Sequence, residues 1–278
     1  KINRSRAGNA IIFFLLAILG TFMALPIIYA VIQSFKPIEE IFMFPPRFFV
    51  INPTLENFSM LFQLASNLWV PFSRYLFNSI FVSAAATVGH VILASMAAFP
   101  LAKYKFPGSK IMFNIVVLAL LFSPQVTYIP QYVVMSRLNL INTYGALIFP
   151  AFAMSLGLFL MKQNIMLIPN SFIEAAKLDG ANEFKIFWKV IMPSVKPAWL
   201  TLVLFTFQMM WNNTGVTFVF NESLKVLPTI MNQIAAAGIA RAGVGAAASI
   251  FLIVPPVVIF ILTQSSIIET MSHSGIKG

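Results

Sequence analysis

Six stretches of this sequence contain no Asp, Glu, Lys or Arg: residues 7–33, 75–102, 111–136, 138–161, 197–221 and 242–268. Each is longer than the roughly 20 apolar residues needed to cross a ~30 Å hydrocarbon core at ~1.5 Å per residue. Outer-membrane strands would show alternating segments of about ten residues instead. Only 9% of the 278 residues are charged and 59% are hydrophobic. A soluble domain carries about 25% charged residues. The sequence therefore predicts an all-α membrane protein with six transmembrane helices. The first run follows Lys1, Arg4 and Arg6, as a signal peptide would, but an h-region spans only about 7–15 residues. Residues 11–32 continue well past that and read as a retained helix.

Several chemistries are excluded by composition. The chain has no cysteine, so thiolate catalysis, disulfide frameworks and Cys-based metal sites are ruled out. Its histidines, His90 and His273, lie far apart, and no H-E-x-x-H run occurs. His90, inside the second span, reads as an interhelical hydrogen-bonding residue and not as a ligand. A P-loop needs G-x-x-x-x-G-K-[ST], and no Gly-Lys dipeptide occurs, so any ATP hydrolysis must come from another subunit. The chain is not read as an enzyme, and no metal or cofactor is expected on it.

The net charge of +10 is explained by topology without a nucleic-acid partner. With the N-terminus inside, twelve basic residues fall in cytoplasmic segments and six outside, as the positive-inside rule requires. Both termini are expected in the cytoplasm. Residues 1–70 read as the first helix and first outer loop. Residues 71–278 read as a five-helix core with a polar cytoplasmic loop at about 162–196. The outer loop contains Phe44-Pro45-Pro46 and Asn52-Pro53-Thr54-Leu55-Glu56-Asn57-Phe58, which predict an ordered, turn-rich segment with a short helix capped by Thr54.

The cytoplasmic loop is strongly patterned. Asn170 or Ser171 can cap a short helix, with Glu174 placed for a capping box, and Asp179-Gly180 ends it. A second short helix at about residues 183–192 sets Phe184, Phe187, Trp188 and Ile191 at helical spacing, before Pro193 and Pro197. Spacing alone leaves two readings open: a rigid knob presented to another surface, or a loop whose aromatics pack under the bundle.

Glu174-Ala175-Ala176, Asp179-Gly180-Ala181, Phe187 and Pro193 resemble the EAA signature of importer-type ABC transporter permeases, and fit it without a gap. The resemblance covers nearly the whole chain and is to the carbohydrate branch that includes the smaller maltose permease subunit. Thr54-Leu55-Glu56-Asn57-Phe58, Trp211-Asn212 and Ser274-Gly275-Ile276-Lys277-Gly278 also look like that branch. The resemblance implies a type I ABC importer permease fold in a bacterial or archaeal plasma membrane. It also implies a second permease subunit, two ATPase subunits that bind ATP and Mg, an extracellular solute-binding protein and a carbohydrate substrate. On this reading Glu174 and Gly180 belong to a coupling helix seated in the ATPase. Two departures stand out: Asn213-Thr214-Gly215 follow Trp211-Asn212 where the family has an acidic or amide residue and then an aromatic, and Arg241 stands just before the last helix.

Polar residues inside spans usually face the bundle interior. Gln208, Trp211 and Asn212 share one helix face, a set that suits a sugar pathway or, alternatively, helix packing with an interfacial Trp. Gln125 and Tyr128 lie beside Pro124 and Pro130, where a bend is expected, and Asn78 is a further pathway candidate. Ala85–Gly89 and Ala94–Ala98 pairs read as helix-packing faces. An ion-coupled secondary transporter is the main alternative function, and a channel the next. The first would want intramembrane carboxylates, and the six runs hold none.

Overall fold

In the computed structural model of the chain, residues 6–236 and 238–274 are described, and the described residues form helices and connecting turns without a strand. Lys1, Arg4 and Lys277 of the orientation argument, and the 275–278 end of the terminal family run, lie outside them. The chain divides into two compact units, one built from residues up to Leu68 with Met231–Ile253, the other from Trp69–Ile230 with the chain from Val254 on.

The first unit begins with α1 (Arg6–Ser34), a single 29-residue helix, followed by α2 (Ile38–Ile41) and α3 (Glu56–Ser66). Between them the chain is held by buried polar groups. Asn57 Nδ2 donates to the carbonyls of Ser34 at 2.9 Å and Lys36 at 2.7 Å. The Glu40 carboxylate accepts from the Ile51 amide at 2.8 Å, and Lys36 Nζ donates to the Arg47 carbonyl at 2.5 Å. The ordered loop expected here is present. Its helix starts one residue later than a Thr54 cap would place it: Thr54 Oγ1 accepts from the Glu56 amide, and Leu55 occupies the cap position.

The second unit is organised around α4 (Phe72–Lys103). It continues with α5 (Ser109–Ala119), α6 (Pro124–Arg137), α7 (Tyr144–Phe152), α8 (Ser155–Met166) and α9 (Asn170–Leu178). Then come α10 (Glu183–Ile186), a π-helical turn at Phe187–Ile191, α11 (Met192–Ser194) and α12 (Lys196–Trp211). Helix α13 (Leu227–Ala235) runs from the second unit into the first, and α14 (Ala242–Ser274) starts in the first and ends in the second.

α7, α8 and α12 all pack on α4. Small residues make this possible. A Cβ at Gly89 would sit 2.2 Å from the Phe152 ring, and one at Gly157 would sit 2.1 Å from His90 Nε2. Ala94 and Ala98 are buried in the same core. The small-residue pairs therefore serve packing, as expected, and His90 meets α8 through Gly157.

The six charge-free runs do not become six long helices. Among the described residues, four helices are long and apolar enough to cross a membrane: Gly8–Ser34, Phe72–Lys103, Tyr144–Met166 and Ala242–Ser265. A fifth arises if Glu183–Ser194 and Lys196–Trp211, bent by 81°, are taken together. The run at 111–136 is broken. Pro124 has no amide hydrogen and disfavours helix in the residue before it, so α5 stops at Ala119, and Ser123 caps a new helix at Pro124. The pieces have 11 and 14 residues. Such lengths reach only ~16 and ~21 Å at ~1.5 Å per residue. The run at 138–161 begins its helix only at Tyr144, because Asn139 (φ 55°) and Asn142 (φ 63°) hold left-handed turns ahead of it. The run at 197–221 is helical only to Trp211.

Candidate functional site

The polar segment between α8 and α12 forms a compact knob. Pro169 turns the chain into α9, whose inner face buries Ile173 and packs Ala176 against a cluster from α4, α8 and α12 that includes Phe99, Met161 and Leu202. The outer face carries Glu174 and Leu178 at i, i+4, and Phe172 and Ala175 at i, i+3. Phe172 is 58% exposed and Leu178 is 89% exposed. No side chain caps the start of α9, so the expected capping box is absent; Asn170 and Ser171 lie inside the first turn, and Pro169 holds the cap position.

The end of α9 is as expected. Gly180 has φ +75°, a left-handed conformation that an L side chain adopts at a cost of ~1–2 kcal/mol. The Ala181 amide bonds the Ala176 carbonyl at 2.9 Å and the Gly180 amide bonds that of Lys177 at 3.0 Å. This pair of bonds is the Schellman motif, which satisfies the last carbonyls of a helix and reverses the chain. Asn182 Oδ1 then accepts from the Lys185 amide at 2.8 Å and starts α10.

Polar bonds tie the knob to the end of α4. Lys103 Nζ donates to the Ile168 carbonyl and, at 3.2 Å, to Asn170 Oδ1. The Tyr104 hydroxyl donates to Glu183, which also pairs with Lys177 at 2.8 Å. The Lys177 ammonium lies 5.2 Å from the centre of the Tyr104 ring. Bonding to Lys177 first, and to Tyr104 second, holds the Glu183 carboxyl below the usual carboxylate range. The same bond to Glu183 raises Lys177, and burial together with Glu183 raises the Tyr104 phenol. Beneath this arrangement Phe99 packs on Phe187, with ring centres 6.0 Å apart, and on Tyr104 at 5.6 Å.

Of the residues singled out for coupling, Glu174, Ala175, Asp179, Gly180 and Pro193 are exposed on the knob. Ala176 and Ala181 are half-buried against its core, and Phe187 is buried as an anchor, facing α4. Phe187 thus packs inward under the bundle, as the second sequence reading has it, while α9 presents an ordered face outward. After the π turn, Pro193 and Pro197 frame the 81° bend, and Trp199 Nε1 donates across it to the Met192 carbonyl at 3.1 Å.

The pathway candidates gather at the other end of the unit, and unevenly. Trp211 is 1% exposed, and its ring stacks on Phe207 at 5.8 Å. Gln208 and Asn212 are exposed, with Asn212 Nδ2 donating to the Gln208 carbonyl at 2.9 Å. Tyr128 reaches across to the segment after α12: its hydroxyl is 2.7 Å from Thr217 Oγ1 and its ring packs on Phe218. The departure at Asn213-Thr214-Gly215 has a local cause. Asn213 Oδ1 accepts from the Gly215 amide at 2.9 Å, and Gly215 has φ +62° with Leu147 filling the space a Cβ would need. Gln125 is exposed beside Ser123, to which it is hydrogen-bonded, and is not brought to Gln208 or Asn212 by any bond among the described residues.

Asn78 is fully buried. Its Nδ2 donates to the carbonyls of Ser223 at 2.9 Å and Lys225 at 2.8 Å, and its Oδ1 accepts from the Tyr144 hydroxyl at 2.7 Å. Among the described residues no three His, Asp or Glu side chains gather as a metal site.

Residue-by-residue reading of the sequence passed over Tyr104 and Glu183, and took Lys103 and Lys177 only as topological charges. One signal pointed to the pair. Lys177 and Glu183 stand three residues before and three after Gly180, and a chain-reversing turn brings such positions face to face.

Residues 90–267 match the family described as binding-protein-dependent transport system inner membrane component. The chain is 28% identical to the arabinooligosaccharides transport system permease protein AraQ of Halalkalibacterium halodurans, over 98% of this chain and 99% of that protein. It is 27% identical to the sn-glycerol-3-phosphate transport system permease protein UgpE of Yersinia enterocolitica, over 94% of this chain and 95% of that one. A chain from the crystal structure of a bacterial ABC transporter that imports the acidic polysaccharide alginate has the same fold, with a TM-score of 0.77 at 22% identity, covering 95% of this chain and 99% of that one. The matched region contains the whole knob and most of the helical core, and the chain belongs to the family of binding-protein-dependent transport system inner membrane components, the permease subunits of ABC importers.

Proposed function

We propose that this chain forms half of the translocation pathway of an ATP-driven importer for a carbohydrate, an oligosaccharide in particular, and receives its driving force through the knob. The observation that carries this reading is the outer face of α9: Glu174, Ala175 and Leu178 stand exposed on a helix closed by Gly180 and bonded to α4. Phe172, Leu178 and Phe184 all stand exposed on this one knob, and grouped exposed apolar side chains, unlike single ones, mark a docking surface. The occupant is an ATPase subunit, which binds ATP and Mg in place of this chain. A second permease chain completes the pathway, and an extracellular solute-binding protein delivers the sugar. The oligosaccharide class is supported by the arabinooligosaccharide permease among the relatives.

In this reading the chain crosses the membrane six times. The broken pair α5 and α6 makes the third pass, the bent pair ending in α12 makes the fifth, and the knob and both termini face the cytoplasm, as the distribution of basic residues requires. Gln208, Asn212, Gln125 and Tyr128 line the pathway toward the outer face, and Trp211 serves it from behind, buried under the two amides. Asn78 serves it from behind by holding the segment that follows α12. A secondary transporter has no supporting observation.

The test is a mild-detergent purification of the tagged chain expressed with its genomic neighbours. A second permease and an ATPase are expected to co-purify, and Glu174→Lys is expected to remove the ATPase while leaving the permease pair. In this reading Glu174 pairs with a basic group of the ATPase; a lysine there sets like charges together at a cost of several kcal/mol, a loss of at least ~tenfold. A chain that purifies alone and moves solute in liposomes without ATP overturns the proposal.

A further inference from the structure

We propose that Tyr104, Glu183 and Lys177 form a clasp that makes α4 follow α9, so that the end of α4 is the point where movement of the coupling helix enters the helical core. This rests on the coupling role proposed above for the knob, and assigns positioning roles to three residues that make no contact with substrate or nucleotide in that reading.

Helix α9 is held to the core only weakly by its own packing. Its single buried residue is Ile173, with Ala176 half-buried beside it, so its apolar grip on the core is small. Apolar contacts are also non-directional and permit sliding. Directional bonds are concentrated instead at the last residue of α4 and the residue after it. Lys103 holds the entry to α9 through Ile168 and Asn170. Tyr104 holds the start of α10 through Glu183, and Glu183 in turn holds the last turn of α9 through Lys177 at 2.8 Å. Both ends of the short helix are thereby tied to one place.

That place is the end of the helix on which α7, α8 and α12 pack. A displacement of α9 transmitted there moves the centre of the unit and not a peripheral element. The three side chains also require one another in this geometry: the carboxylate accepts from both the hydroxyl and the ammonium, and the ammonium sits over the ring of the same tyrosine. Lys177 and Glu183 are about half exposed, and ion pairs open to solvent contribute little to stability. The clasp is thus poorly suited to holding the fold together, and its removal leaves a folded chain.

The chain has no native cysteine, so two introduced ones are the only sites for spin labels on it. Labels at Lys105→Cys, just past α4, and Lys185→Cys, on α10, report the distance between the two sides of the clasp in the assembled transporter. It is measured without nucleotide and after trapping with MgATP and vanadate. With the clasp intact the distance is expected to be the same in both states. In Glu183→Gln and in Tyr104→Phe the ATPase is expected to remain bound and to hydrolyse ATP, while trapping shifts the distance beyond the width of the unmodified distribution. Glu183→Asp, which keeps a carboxylate to accept from both Tyr104 and Lys177, is expected to hold the constant distance better than Glu183→Gln, a difference that a general loss of packing would not produce.

Three results overturn the proposal. A constant distance in Glu183→Gln removes the need for the clasp. Loss of the ATPase from Glu183→Gln makes Glu183 a docking residue and leaves the coupling role of the knob standing. An unmodified complex that contains no ATPase removes the coupling role itself.

Discussion

The two ends of α4 handle polar groups in opposite ways. At the Lys103 end the charged side chains pair with each other across a turn, the aromatic anchors are buried, and the outward face of α9 is left exposed and ordered. At the Phe72 end the buried amide of Asn78 is saturated by Ser223, Lys225 and Tyr144, while the exposed amides of Gln208 and Asn212 make only a local bond. A short-range rule built the first end: a left-handed glycine closes a helix and reverses the chain. The second end depends on segments about 145 residues apart meeting at Asn78. The knob is therefore an ordered, outward-facing surface, whereas the Phe72 end shows which polar residues are occupied and which remain exposed.

The contrast breaks most visibly at Gly180. Proline cannot adopt φ +75°, so Gly180→Pro is expected to destroy the turn and abolish ATP-driven uptake, with the permease still inserted. Gly180→Ala is milder, at ~1–2 kcal/mol of local strain. Uptake and ATPase co-purification check both, and normal uptake by the proline variant would separate the turn from coupling.

Next in size is Trp211→Ala. Truncating a fully buried aromatic side chain costs ~3–5 kcal/mol, so this variant is expected to lower the thermal stability of the detergent-purified complex and reduce uptake together. It reads the core, and for that reason cannot test the pathway. Gln208→Ala and Asn212→Ala do test it. Their side chains are exposed, so the melting temperature is expected to stay within the ±0.5 kcal/mol or so typical of surface changes, while sugar uptake or its selectivity changes. Unchanged uptake in both would leave the Trp211 face with packing alone.

The smallest expected effect is one of pH. Glu183 is held below the ordinary carboxylate range, so its share of the clasp is fully present above that range and is lost only as pH falls through its own lowered value. Lys177 is raised, so its share is present below the ordinary lysine range and is lost as pH rises through its raised value. The distance between labels at Lys105→Cys and Lys185→Cys is expected to be flat between those limits and to change only beyond them. A transition centred in the ordinary glutamate range would show that Glu183 is not held by Lys177 and Tyr104.

The knob was legible in the sequence because its features are local. Glu174-Ala175-Ala176 fits the permease signature at fixed spacing, and Gly180 ends the helix as a left-handed C′ residue would. The polar face of α12 was legible only as a face. Helical spacing groups Gln208, Trp211 and Asn212, but spacing is silent on how far each projects from its neighbours, and packing buried Trp211 while leaving the two amides out. The third charge-free run misled in a similar way. Absence of charge measures whether a segment tolerates lipid, not whether its backbone stays helical, and Pro124 decided the latter.

By itself, then, the sequence determined the class of the chain, its apolar runs, its permease signature and the turn at Gly180, since each follows from composition or from residues a few positions apart. Tertiary structure alone decided that Tyr104 meets Glu183, that Asn78 is occupied and that Tyr128 reaches Thr217, because each joins segments separated by 66 to 147 residues in the chain. Such pairings depend on how whole helices pack, and no local spacing encodes the depth or the facing of a packed helix.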